Sequence, residues 1–203
     1  MDGLVKEYLV SFYTRNLVLH GDRPEALRWS PEGQRLRYGV MLDALPDIGG
    51  RKVLDYGCGK GDLYGFIRER GLDVSYTGID INPELIDLAA KKHPGARFMV
   101  SDVEDTPLEE DYDIVFLCGV FNNKVEGVGE SMRNVLSALF ERTTEALAVN
   151  GLSSHAKDKA VELNYTSPEE LSSFVGANLT PRFELIQGYL PGDFTLVLNK
   201  KRP

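Results

Sequence analysis

Cysteine is scarce in this chain: its 203 residues include two, Cys58 and Cys118. That excludes a disulfide framework as the source of stability and gives no sign of an oxidising compartment. Long apolar runs are missing too. No stretch approaches the length that spans a bilayer, and no basic start leads into an apolar segment. A cytoplasmic protein without membrane contact is the expectation. Positive charge is in deficit, with 31 Asp and Glu against 23 Lys and Arg and a formal charge of −8. A surface of that sign repels a polyphosphate backbone, which disfavours nucleic acid as a partner. Internal repeats and low-complexity tracts are absent, and no metal site is expected. What remains, 42% hydrophobic and 27% charged, suits one soluble domain long enough to bury a sizeable core.

The chain is organised around Lys52 to Phe66, KVLDYGCGKGDLYGF. A short β-type run ends in the carboxylate of Asp55. Gly57, Gly59 and Gly61 follow, and then Leu63, Phe66 and Ile67 recur at helical spacing, so the stretch predicts strand, tight glycine turn and helix. Glycine allows positive φ and lets backbone lie directly against a ligand, while the helix start offers unpaired N–H groups. A dinucleotide fold prefers G-x-G-x-x-G. Here the third glycine comes one place early, because position 62 is Asp62.

The D-x-G-x-G-x-G pattern of Asp55, Gly57, Gly59 and Gly61 resembles motif I of the class I S-adenosylmethionine (SAM) dependent methyltransferases, and the resemblance extends over residues 51 to 199. It implies that the turn, with Tyr56, Cys58 and Asp62 among its residues, faces the methionine part of SAM. An acidic residue ending the second strand would bind the ribose hydroxyls. Ser75 to Asp80 reads as that strand, with Asp80 nineteen positions after Gly61 and Ile81 next to it. Ala96 to Val100 reads as the third strand and runs into Asp102 and Val103, which the resemblance assigns to adenine. Tyr112 to Leu117 reads as the fourth strand, whose unbroken apolar run Ile114 to Leu117 suits a strand buried on both faces. At its end lie Cys118, Gly119 and Asn122, where the family sets backbone against the transferring methyl. The stretch lacks the Asn/Asp-Pro-Pro-aromatic signature of enzymes acting on base amino groups, and Cys118 lacks the preceding proline of cytosine-C5 enzymes. Cys118 reads as a small buried apolar residue.

Ahead of this core, residues 1 to 50 read as a helical lid and residues 51 to 203 as the SAM-binding core. Leu4, Val5, Tyr8, Leu9, Phe12 and Tyr13 recur at helical spacing, and Ser30 with Pro31 starts a second helix that stops at Pro46. On that helix Gln34 and Arg37 are candidates to meet the cofactor, Arg37 as partner of the methionine carboxylate. Trp29 reads as a plug between lid and core. His93, at the end of a helix capped by Asn82, is expected at the far end of the sheet as a structural residue. Ala146 to Val149 reads as the fifth strand, followed by a polar loop whose His155 is the candidate general base; Asn122 is the other catalytic candidate. Phe183 to Gln187 and Phe194 to Leu198 read as an antiparallel pair closing the sheet.

The expected fold is an α/β three-layer αβα sandwich with a seven-stranded, mostly parallel sheet in the order 3-2-1-4-5-7-6, strand 7 antiparallel, under an N-terminal helical lid. The expected activity is methyl transfer from SAM, with S-adenosylhomocysteine (SAH) as product, to an acceptor that the charge balance makes a small molecule before a protein or nucleic acid. Two other readings stay open: a SAM-binding protein without transfer activity, and a NAD-linked oxidoreductase, which the glycine spacing and the terminal hairpin disfavour. Oligomeric state has no signature in the sequence.

Overall fold

Alternation decides the centre of the molecule. In β1 (Lys52–Tyr56) Val53 faces one core and Leu54 the other, and both are wholly buried; in β4 (Tyr112–Cys118) Ile114 and Phe116 alternate with Val115 and Leu117 in the same way. Strands buried on both faces need a helix layer on each side. The computed structural model, which describes residues 1–200, supplies both layers. On one side α2 (Pro31–Asp43) and α3 (Asp62–Glu69) cover Val53, Ile114 and Phe116 with Met41, Leu42, Leu63 and Ile67. On the other, α5 (Val128–Glu141) and α6 (Pro168–Asn178) cover Leu54, Val115 and Leu117 with Val135, Leu136, Leu139 and Val175.

The remaining strands are β2 (Ser75–Asp80), β3 (Arg97–Val100), β5 (Thr143–Leu152), β6 (Phe183–Gln187) and β7 (Asp193–Asn199). The sheet runs β3-β2-β1-β4-β5-β7-β6; every pairing is parallel except those of β7 with β5 and β6. Order and direction are those predicted. The chain winds outward from β1 to β3, returns, and continues from β4, so strand order reverses between β1 and β4. That point opens a crevice at the C-terminal strand ends.

α1 (Gly3–His20) and β5 run well past the residues expected of them. α1 begins on the Asp2 side chain, which accepts from the Leu4 N–H, and runs 18 residues. β5 continues three residues past Val149, because Asn150, Gly151 and Leu152 pair with Thr195, Phe194 and Asp193 of β7. α4 (Pro83–Lys92), capped by Asn82 as expected, packs on β2 and β3. His93 is not at the far end of the sheet. Helical side chains lean toward the helix start, and the His93 ring lies behind the glycine turn, 5.2 Å from the Tyr64 ring and close to Gly61 and Phe98. Burial holds its pKa below the ordinary histidine value. Among the described residues no helix is long and apolar enough to cross a membrane.

One buried carboxyl makes stability depend on pH. Asp55 is 3% exposed and accepts a 2.5 Å hydrogen bond from the Tyr76 hydroxyl. Burial raises its pKa to about 7, although the tyrosine bond pulls the other way. The folded protein thus keeps this proton at pH values where the unfolded chain has lost it. The contribution is complete below about pH 4 and is lost as pH rises to about 7, at about 1.4 kcal/mol per unit. In Asp55→Asn the Tyr76 hydroxyl still has an acceptor and the slope is gone. Urea unfolding at about pH 5 and about pH 8 should show wild type losing roughly 3 kcal/mol more than the variant between them. Equal losses in both proteins would show that Asp55 does not carry this proton.

Candidate functional site

A cavity of about 350 Å³ lies in the crevice, bounded by the ends of β1, β2 and β4, by α1 and by the segment from Leu27 to Ser30. Its size is that of a small-ligand site. Backbone forms one wall. Gly57 and Gly59 have φ of +71° and +54°, and a Cβ would stand 2.7 Å from Val120 at the first and 2.8 Å from Leu27 at the second. Only glycine lets the turn sit this close to its neighbours in that conformation. The turn is pinned to β2: the N–H groups of Gly57 and Cys58 both donate to the Ile79 carbonyl, and that of Gly59 donates to Asp80 Oδ2 at 2.9 Å.

Asp80 reaches the cavity from the end of β2, and its Oδ1 accepts the Asn82 N–H at 2.9 Å. Burial raises its pKa while the N–H donors of Asn82, Gly59 and Ile81 oppose the rise. Past β3, Asp102 Oδ1 accepts from the Tyr56 hydroxyl at 2.8 Å and from the Glu104 N–H, and Oδ2 pairs with Lys6 of α1 at 2.7 Å. Burial raises the Asp102 pKa, but Lys6 and these donors more than offset it, so the carboxyl lies below its usual range. Tyr56 is pushed well up, by burial first and then by Asp102.

At the other end, Cys118, Gly119 and Asn122 follow β4. A Cβ on Gly119 would stand 2.4 Å from the Trp29 ring, so the indole covers that glycine directly. The Arg37 guanidinium stacks on Trp29, 4.4 Å from the ring centre, and forks onto Asp193 at 2.5 and 2.9 Å. Asn150 braces this pair through the Phe194 carbonyl at 3.0 Å and the Tyr189 hydroxyl at 2.8 Å. Burial raises the Tyr189 pKa to about 12 and pushes the Cys118 thiol well up. Tyr13 of α1, also raised by burial, accepts from the Asn123 amide at 2.6 Å. The site is therefore a groove with acids at one end, glycine backbone in the middle, and aromatic, amide and arginine groups at the other.

Residues 53–140 match the family model described as a methyltransferase domain. Over that span the chain is similar to a methyltransferase domain. The chain is 33% identical over 122 residues to the magnesium-protoporphyrin O-methyltransferase of Rhodobacter capsulatus, a match covering 57% of this chain and 52% of the relative. The chain spans about half, or less, of the length of the curated relatives it matches. Among solved structures, the DhpI–SAH complex superposes with a TM-score of 0.71 at 15% identity, covering 97% of each chain. Magnesium protoporphyrin IX methyltransferase from Synechocystis PCC 6803 with bound SAM superposes at 0.70 and 16%, covering 97% of this chain and 96% of that one.

The cavity brings together Arg37, Tyr56, Gly57, Gly59, Asp80, Ile81, Asp102, Cys118, Gly119 and Asn122 of the residues singled out from sequence. Others stand behind it. Asp55 and Cys58 are buried under the turn, and Val103 is in the core. Gly61 backs onto His93 and Phe98. Asp62 is bound by Lys60 at 2.5 Å, Lys92 at 2.9 Å and the Gln34 amide at 3.0 Å, which also accounts for Gln34. Burial raises the Asp62 pKa, yet the two lysines bring it below its ordinary value. Since Asp22 pairs with both lysines, this network ties the segment after α1 to the glycine turn.

Two sequence-based roles need correction. His155 is not at the cavity: the extension of β5 carries it past the strand ends, where its ring, 62% exposed, meets Glu169 at 2.9 Å. Arg37 does reach the cavity, but Asp193 already holds its fork. Asp193 opens β7, one residue ahead of the strand start expected at Phe194. Lys6, Arg28, Asn123 and Asp193 were all missed. Lys6 sits among the apolar positions of α1, and no local pattern marks the others.

Proposed function

We propose that the protein is a SAM-dependent methyltransferase acting on a small molecule. The observation that carries this reading is the Gly57–Gly59 turn beside Asp80, bare backbone at positive φ on the cavity wall, set against an acidic side chain. The donor set fits SAM: Asp80 keeps acceptor capacity for a ribose diol, Asp102 lines the wall where adenine is expected, and Gly119 borders the expected methyl end. Bound SAM would supply a methyl group already activated by its sulfonium.

The chain's own residues then bind, orient and shield. Trp29, Tyr13 and Leu9 roof the cavity and exclude water. Holding donor and acceptor in line accounts for about 7 to 11 kcal/mol of barrier lowering, so positioning is the main contribution of the chain. Residues 1–50 act as a lid in this reading, latched by Lys6 on Asp102 and by Asp22 on Lys60 and Lys92. Both magnesium-protoporphyrin methyltransferases described above act on a porphyrin, which supports a small-molecule acceptor here as well.

Transfer is tested by incubating the protein with methyl-labelled SAM and fractionated small-molecule extracts and measuring SAH. Acceptor-dependent SAH formation is expected. Binding of SAM with no turnover in any fraction would make the protein a SAM-binding module instead.

A further inference from the structure

Arg28 is the one non-glycine residue at positive φ among the described residues, at +62°. A left-handed arginine is strained and persists only where its surroundings impose it. Here Arg28 closes the short 3-10 turn Pro24–Leu27, donating its N–H to the Glu25 carbonyl at 3.0 Å while Trp29 donates to Pro24 at 3.1 Å. That bend sends Trp29 over Gly119 and sets Arg28 on the wall between the cavity and an open groove beside it. Its guanidinium rests 5.8 Å from the Phe12 ring centre and bonds Glu162 at 2.7 Å, a carboxylate 57% exposed at the rim. An exposed counter-ion is weakly held and readily exchanged.

The groups around the acceptor end lack a free base. Tyr13 and Cys118 are kept protonated by burial. Each acid of the cavity wall is engaged within the protein: Asp80 by two backbone N–H groups, Asp102 by Tyr56 and Lys6, and Glu104 by the Ser131 hydroxyl at 2.6 Å. A nucleophile that must shed a proton on attack finds no taker. One that arrives ionised needs none.

We propose that the acceptor is a small carboxylic acid with an apolar body, bound as its carboxylate with Arg28 displaced from Glu162 onto one carboxylate oxygen. This rests on the reading of the site as a methyltransferase. Leu152, Leu163 and Phe121 give the body an apolar wall, and the Tyr13 hydroxyl, which already accepts from Asn123, has its proton to donate. A lone pair of the second carboxylate oxygen forms the new O–C bond to the methyl carbon as the S–C bond breaks. Sulfur keeps that electron pair, the positive sulfonium and negative carboxylate are both neutralised, and methyl ester and SAH leave with no proton moved.

The test begins with calorimetric binding of SAH, which separates the two readings. Benzoate and octanoate are then compared with benzyl alcohol, octylamine and thiophenol as acceptors of labelled methyl. Methyl esters from the acids and no transfer to the others are expected. Arg28→Gln should raise the acid KM about ten- to a hundredfold, with kcat and SAH affinity little changed, and Glu162→Gln should lower that KM. SAH binding with transfer only to the alcohol, amine or thiol, or with no ester from either acid, overturns the carboxylate acceptor. An Arg28→Gln protein that folds, binds SAH and keeps the wild-type KM overturns the role of Arg28. Failure to bind SAH overturns the methyltransferase reading itself and this inference with it.

Discussion

Asp80→Ala should lower the affinity for SAM and SAH by about 2 to 4 kcal/mol, on the order of thirty- to a thousandfold, in calorimetric titration. Two charge-assisted hydrogen bonds from a ribose diol would be lost with the carboxylate. The same oxygens accept the N–H groups of Gly59 and Asn82, so the truncation also frees one anchor of the glycine turn. Asp80→Asn separates the two effects. It keeps one acceptor for the backbone but holds no negative charge, and it should fall between wild type and alanine. A folded Asp80→Ala protein with wild-type affinity would remove Asp80 from the cofactor site.

Asp193→Ala should destabilise the fold by about 3 to 5 kcal/mol in urea unfolding. Arg37 and Asp193 are 12% and 2% exposed, so removing the carboxylate leaves a guanidinium with no counter-charge and little water. Asn150 also loses a contact, and its Oδ1 already has no hydrogen-bond partner. The double replacement Arg37→Met with Asp193→Leu should recover most of the loss, because a buried pair swapped as a whole for apolar groups is close to neutral. Because Arg37 underlies Trp29, the single variant should also loosen the cover over Gly119. A loss below about 1 kcal/mol would show that solvent reaches the guanidinium.

These two residues also show what could be read from sequence. Asp80 was legible because three local signals coincide: a β-type run, a carboxylate at its end, and a glycine turn at fixed distance upstream. The sheet order was what the resemblance to the class I methyltransferases implies, and the alternation of strand and helix with a closing hairpin agreed with it. Asp193 and His155 fell on the wrong side of one question, where β5 ends. Asn150 and Gly151 are polar and small, which reads as loop, but pairing with β7 overrides that preference because strand propensity is set by cross-strand neighbours. Extending the strand brings Asp193 opposite Leu152, under Arg37, and carries His155 out to Glu169. Arg28 was hidden for another reason. Its left-handed backbone depends on the packing of α1 and Trp29 around it, and a single sequence records no such contact. Lys6 and Lys92 likewise meet partners dozens of residues away.

The central claim is that the glycine-turn cavity binds an adenosyl sulfonium cofactor. Calorimetric titration of the purified protein with SAM, SAH and NAD in one buffer tests it most directly. Micromolar binding of SAM or SAH, weakened in Asp80→Ala and with no heat from NAD, is the expected result. Binding of NAD with no response to either adenosyl compound would contradict the claim and return the site to dinucleotide chemistry.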